Sequence, residues 1–130
     1  MTPQEKQLLL KDLCERLPYG VMVEITSDGG MMEASYNMRL DAGLLADLLH
    51  SEDDFKPYLR PMSSMTEEEK KEFQACHCVY ELHPDFQPMM CNLANELNML
   101  DWLNAHHFDY RGLIVKGLAL EAPEGMYKTE

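Results

Sequence analysis

The densest run of chemistry-bearing side chains is Cys76-His77-Cys78, followed by His83 and Cys91. Zinc takes thiolates and imidazoles in tetrahedral sites, so Cys76, Cys78, His83 and Cys91 make a possible Cys3His ligand set. Against zinc, the Cys-x-Cys gap is shorter than the usual knuckle spacing, and a second paired knuckle is missing. The structural alternative is that these thiols are small buried hydrophobes on a strand, a common fate of cysteine. A second cluster, His106, His107 and Asp109, suggests metal binding or proton transfer. Neighbours at a helix end point in different directions, however, and a donor or cation there satisfies the last carbonyls. His106 and His107 therefore read as C-terminal caps of the helix before them.

The remaining candidates for catalysis are weaker. Ser63 and Ser64 lack the Gly-x-Ser-x-Gly elbow that exposes a nucleophile. Cys14 falls on the apolar face of the first predicted helix, which places it in the core. Gly29-Gly30 belongs to a hairpin turn and not to a phosphate loop. Glu67, Glu68 and Glu69 complement a helix N-terminus before they make a catalytic pair. No catalytic residue is assigned, and the expectation is a protein that is not an enzyme and holds no cofactor, zinc aside.

The elements that would position these residues follow from spacing. Thr2 and Glu5 stand in capping-box register with Pro3 at the first helical position. Leu10, Leu13, Cys14 and Leu17 then recur on one helical face until Pro18 stops the helix near Arg16. Val21, Val23 and Ile25 alternate with polar residues, as do Met32, Ala34, Tyr36, Met38 and Leu40. Ser27-Asp28-Gly29-Gly30 lies between them, so the two runs predict a β-hairpin. Asp41 can cap a short helix carrying Leu44, Leu45, Leu48 and Leu49, although a continuation of the sheet stays open. Phe55-Lys56-Pro57-Tyr58-Leu59-Arg60-Pro61 reads as an extended surface run, its prolines confining any strand to an edge. Thr66 and Glu69 start a further helix to Phe73 or Gln74, with Glu67 facing Lys71. Cys76 to Leu82 alternates like a third strand, and Pro84 and Pro88 bracket a loop. Leu93, Ala94, Leu97, Leu100 and Leu103 stripe a longer helix, and Asp109 caps a last one closed by Gly117. The result is an α+β fold: an antiparallel hairpin plus a further strand packed with four to five short helices, in one domain over 1–130.

Composition bounds the function. The chain has 130 residues, 45% apolar and 26% charged, which suits one globular domain. No apolar run approaches the ~20 residues of a bilayer span. Met1-Thr2-Pro3-Gln4-Glu5-Lys6 lacks a basic start before an apolar stretch, so no secretory leader is expected and the four cysteines read as reduced thiols in the cytoplasm. The net charge is −12 and uneven: residues 24–54 hold eight acids against Arg39 alone, and residues 81–109 hold five acids and neither Lys nor Arg. Without a basic stripe to neutralise phosphates, direct nucleic-acid binding is not expected, and anionic membranes are disfavoured by the same sign.

Three stretches, Leu13 to Val21 (LCERLPYGV), Lys56 to Glu69 (KPYLRPMSSMTEEE) and Asp101 to Ile114 (DWLNAHHFDYRGLI), resemble a family of small uncharacterised proteins from gut anaerobic bacteria and their prophages. The resemblance implies a phage- or mobile-element-linked context and carries no catalytic or binding residues. The expected function is a non-enzymatic protein–protein interaction module with an unknown partner. Its expected interaction surface is the Pro/Met/aromatic stretch with Phe55, Tyr58, Leu59, Met62 and Met65; methionine at turns, also seen at Met31-Met32 and Met89-Met90, suits an adaptable contact. The competing reading is that Tyr58 and Leu59 fasten the hairpin to the helices. A different class of function, an acidic decoy that occupies a nucleic-acid-binding protein, follows from the charge, and a zinc-stabilised module from the Cys/His cluster.

Overall fold

Local capping starts the chain as its spacing requires. Glu5 N donates to Thr2 Oγ1 at 3.1 Å and Thr2 N donates to Glu5 Oε1 at 3.0 Å, opening helix α1, Pro3–Arg16. Pro18 converts its end into a single 3-10 turn over Leu17–Tyr19, closed by Gly20 at φ 64°. A computed structural model describes residues 2–28, 33–50, 54–76 and 88–127. Strand β1, Met22–Asp28, pairs antiparallel with β2, Glu33–Arg39, in the register Met22 to Arg39 through Asp28 to Glu33. Helix α2, Ala42–His50, follows, with Leu44 N donating to Asp41 Oδ1 at 2.7 Å, so this segment is helix and not sheet.

The third strand comes from the proline-containing run. Strand β3, Asp54–Leu59, pairs antiparallel with β1, Val23 opposite Pro57. Its other side meets the short parallel strand β4, Leu120–Glu121, only at Tyr58 and Leu59. Pro57 therefore sits where that side of β3 is an edge, the position a residue without an N–H tolerates. The mixed sheet has the order β2-β1-β3-β4. Helix α3, Glu67–Ala75, opens on a second reciprocal capping box between Thr66 and Glu69, and Glu67 pairs with Lys70 at 3.1 Å in place of Lys71. Helix α4, Pro88–Ala105, is longer than its leucine stripe suggests. The fold is α+β, and the described residues form one four-stranded sheet with four helices.

One core joins these layers. Leu9 and Leu13 of α1, Leu45 and Leu48 of α2, Val23 and Ile25 of β1 and Phe55 and Leu59 of β3 pack together with Leu113 and Leu118. Several apolar residues stay outside it. Cys14 is exposed, because the buried face of α1 runs through Leu9, Asp12, Leu13 and Arg16. Tyr36 and Met38 on the outer strand are 47% and 41% exposed, and Leu97 of α4 is 61% exposed, so these three lie outside the core, whereas Val21, Val23, Ile25, Leu40 and Leu103 of the same patterns are buried. The segment from Asp109 to Gly117 is a series of turns and not a helix, although Asp109 caps it by accepting from Leu113 N at 2.8 Å and Ile114 N at 3.0 Å. Among the described residues, no helix is long and apolar enough to cross a membrane.

Candidate functional site

The expected interaction surface divides on burial. Phe55 is 2% exposed, Tyr58 9% and Leu59 0%, so these three fasten the sheet to its neighbours and offer no docking face. The reason is β3 itself: once residues 54–59 pair with β1, Phe55 and Leu59 turn into the core, while Tyr58 Oη on the opposite face donates toward Glu24 Oε2 at 3.1 Å and Asn37 Oδ1 at 3.0 Å. Met62 is exposed on a 3-10 turn and Met65 half-buried. Of the expected zinc ligands, Cys76 closes α3 in place of opening a strand, its Sγ donating to Glu72 O at 3.6 Å, and burial pushes its thiol pKa up. Cys78 and His83, with the rest of the predicted third strand, lie outside the described residues. Cys91 lies on α4 at a position whose side chain is likewise outside them. Among the described residues, no group of three or more His, Cys, Asp or Glu could hold a metal.

The structure instead gathers titratable groups at the C-terminus of α4. His106 caps the helix as its position predicts, Nδ1 lying 2.9 Å from Trp102 O with the ring stacked on Trp102 at 4.0 Å. His107 does something else. Its N–H donates to Asn104 O at 3.1 Å, Phe108 N donates to Leu103 O at 2.9 Å, and His107 sits at φ 62°. That is the Schellman arrangement, in which glycine usually takes the left-handed position. A residue with a Cβ costs about 1 kcal/mol or more there. Among the described residues, His107 is the one non-glycine with positive φ.

Three connections fix what faces it. Arg60 N donates to His107 O at 2.7 Å and Asp109 N donates to Arg60 O at 2.8 Å, stitching the end of β3 to the α4 corner. Tyr127 stacks on His107 at 3.8 Å between centroids, held by its hydroxyl, which donates to Tyr58 O at 2.6 Å and accepts from Met22 N at 2.9 Å. Burial, chiefly, pushes the Tyr127 hydroxyl pKa up to about 12, so it stays protonated. Gly20 completes the wall. Its left-handed backbone carries no Cβ, and one placed there would lie 3.1 Å from Arg39 Cδ. Glycine thus lets the Arg39 stem lie across the chain.

The resulting cleft, about 300 Å3, is lined by Tyr19, Gly20, Arg39, Arg60, Ala105, His106, His107 and Tyr127. In a chain of net charge −12, its titratable wall is basic and phenolic, with no carboxylate. His107 is 7% exposed, and its Nδ1 is buried without a hydrogen-bond partner. Burial first, then the charges of Arg16, His106, Arg60 and Arg39, hold its pKa down to about 4, so the ring is neutral at pH 7.

The cations behind and around the cleft differ in how they are paired. Arg60 makes two bonds of 2.7 Å to Glu69, whose carboxyl those bonds hold down to about 2, and stacks over Phe108 at 4.2 Å. Arg16, fully buried, donates to Asp12 at 2.8 and 3.2 Å and to Phe108 O at 2.7 Å. Arg111 donates to Asp12 at 2.8 Å and to Glu15 at 2.8 and 2.9 Å. Each of these cations has an acid beside it. Arg39 is exposed to solvent, and its side chain has no hydrogen bond or ion pair among the described residues, so it brings a guanidinium without a protein counter-charge to the cleft.

Compared with protein-family models, curated proteins and solved structures, the chain matches none of them. The cleft was missed in the sequence because its residues come from five separate places in the chain. One signal was present: histidine stands at the position after α4 where a helix end most often places glycine.

Proposed function

We propose that the protein is a binding module, without catalysis of its own, that captures a protein partner by seating an anionic group in the cleft formed by Arg39, Arg60, His106 and His107. One observation carries the reading: His107 is held in a strained backbone conformation, buried and with Nδ1 unpartnered, on the same cleft wall as the unmatched guanidinium of Arg39. Binding suits the cleft better than catalysis because its lining supplies donors and two phenols, and neither a thiol nor a carboxylate. The interaction surface thereby moves from the buried β3 residues to the α4 corner. Melting temperature tests the reading, measured at pH 7 and constant ionic strength with acetate or inorganic phosphate added. At least one anion should stabilise the wild-type protein and lose that effect in Arg39→Met. Stabilisation by neither anion, or the same stabilisation in Arg39→Met, overturns it.

A further inference from the structure

The charge count in the cleft narrows the ligand. Arg60 is matched by Glu69 and His107 is neutral, so the exposed side chain of Arg39 is the guanidinium that the described residues leave open to a ligand. One unmatched guanidinium suits a monoanion, and its planar fork fits a carboxylate through two parallel hydrogen bonds. The neutral ring of His107 lines the same cleft, stacked on Tyr127. A polyanion is poorly served, because its neighbouring charges would extend over a surface of net charge −12. A single carboxylate arrives without such neighbours.

The surroundings indicate what bears it. A shallower depression between α3 and α4 shares Tyr19 and Ala105 with the cleft and continues over Trp102, Ala75 and Cys76. Glu72 and Asp101 lie in its lining. A ligand whose carboxylate occupies the cleft therefore has an apolar bed leading away from it, flanked by two acids that favour neutral or basic groups. A polypeptide ending meets this description, with one carboxylate at the tip and side chains behind it.

Resting on the binding reading above, we propose that the cleft and the adjoining depression hold the C-terminus of a partner polypeptide. Its terminal carboxylate lies against Arg39 and His107, and its preceding residues, neutral or basic, lie against Tyr19 and Trp102.

The test is titration of the full chain with acetyl-Ala-Lys-Ala-Leu as free acid, its C-terminal amide, acetate and inorganic phosphate. The readout is the NMR signal of the His107 ring nitrogens, assigned with His107→Asn, a residue that tolerates left-handed backbone. The free acid should bind at least ~10-fold more tightly than the amide and than acetate, and Arg39→Met should remove that difference. Equal binding of acid and amide overturns the carboxylate assignment. Acetate as tight as the peptide overturns the polypeptide ligand. Phosphate binding without the peptide overturns this inference and leaves the anion cleft standing, whereas failure of every probe overturns both.

Discussion

Replacing Asp12 with leucine is the most severe single change that the structure predicts. Asp12 is fully buried and accepts from two guanidiniums, at 2.8 and 3.2 Å from Arg16 and at 2.8 Å from Arg111. Without it, Arg111 keeps its paired bonds to Glu15 at 2.8 and 2.9 Å and loses little. Arg16 keeps only Phe108 O at 2.7 Å, while its Nη1 already lacks a partner and the side chain has no route to water. Stranding a buried charge in this way costs about 3–5 kcal/mol, a large share of a total stability of about 5–15 kcal/mol. At this chain length that lowers the melting temperature by roughly 10–20 °C. Urea unfolding followed by circular dichroism and by the single tryptophan, Trp102, measures it. The control is Asp12→Leu with Arg16→Met, which removes both charges and should recover most of the loss. A single variant within about 1 kcal/mol of wild type, or a double variant no better than the single, would refute the reasoning.

Acid should destabilise the protein in a defined window. His107 titrates at about 4 when folded and near 6.5 when unfolded, so its contribution is complete above 6.5 and is lost as pH falls through 4. That slope amounts to roughly 3 kcal/mol and should vanish in His107→Asn; a slope unchanged by the substitution counts against a neutral, buried imidazole. Glu69, held at about 2 against a usual 4.5, adds a second loss below pH 4.5, which Arg60→Met should remove. Leu59→Ala, at a site 0% exposed, should cost about 2–5 kcal/mol in denaturant unfolding, whereas a loss under about 1 kcal/mol would return that side chain to the surface.

What could be read from the sequence was decided by neighbours in the chain. Both capping boxes form as Thr2-x-x-Glu5 and Thr66-x-x-Glu69 predict, because their hydrogen bonds close within one turn. The hairpin forms because alternation and turn residues agree. Periodicity failed where a distant partner changed the value of a residue. Asp12 and Arg16 stand outside the apolar set Leu10, Leu13, Cys14 and Leu17 that the spacing of α1 picks out, yet they are buried because Arg111, 99 residues from Asp12, and Phe108 O close over them. Tyr36 and Met38 continue the alternation of β1 across the hairpin, but they sit on the outer strand and remain half exposed. The prolines of the β3 run argued for an edge strand, yet β3 lies inside the sheet between β1 and β4; Pro57 is tolerated there because β4 pairs only with Tyr58 and Leu59.

The cleft shows a further reason for illegibility. Its components each have a local explanation: Gly20 ends a 3-10 turn, Arg39 ends β2, Arg60 follows β3, and His106 caps α4. His107 does not share that sufficiency. Its backbone role would be filled more cheaply by glycine, and its ring gains a stack on Tyr127 but no hydrogen bond through Nδ1. Two costs, a left-handed Cβ and a desolvated imidazole, meet at one residue that lines the same cleft as Arg39, whose side chain has no acid paired with it among the described residues. Folding alone explains His106, whereas His107 is the residue for which the proposed ligand of the cleft supplies the missing reason.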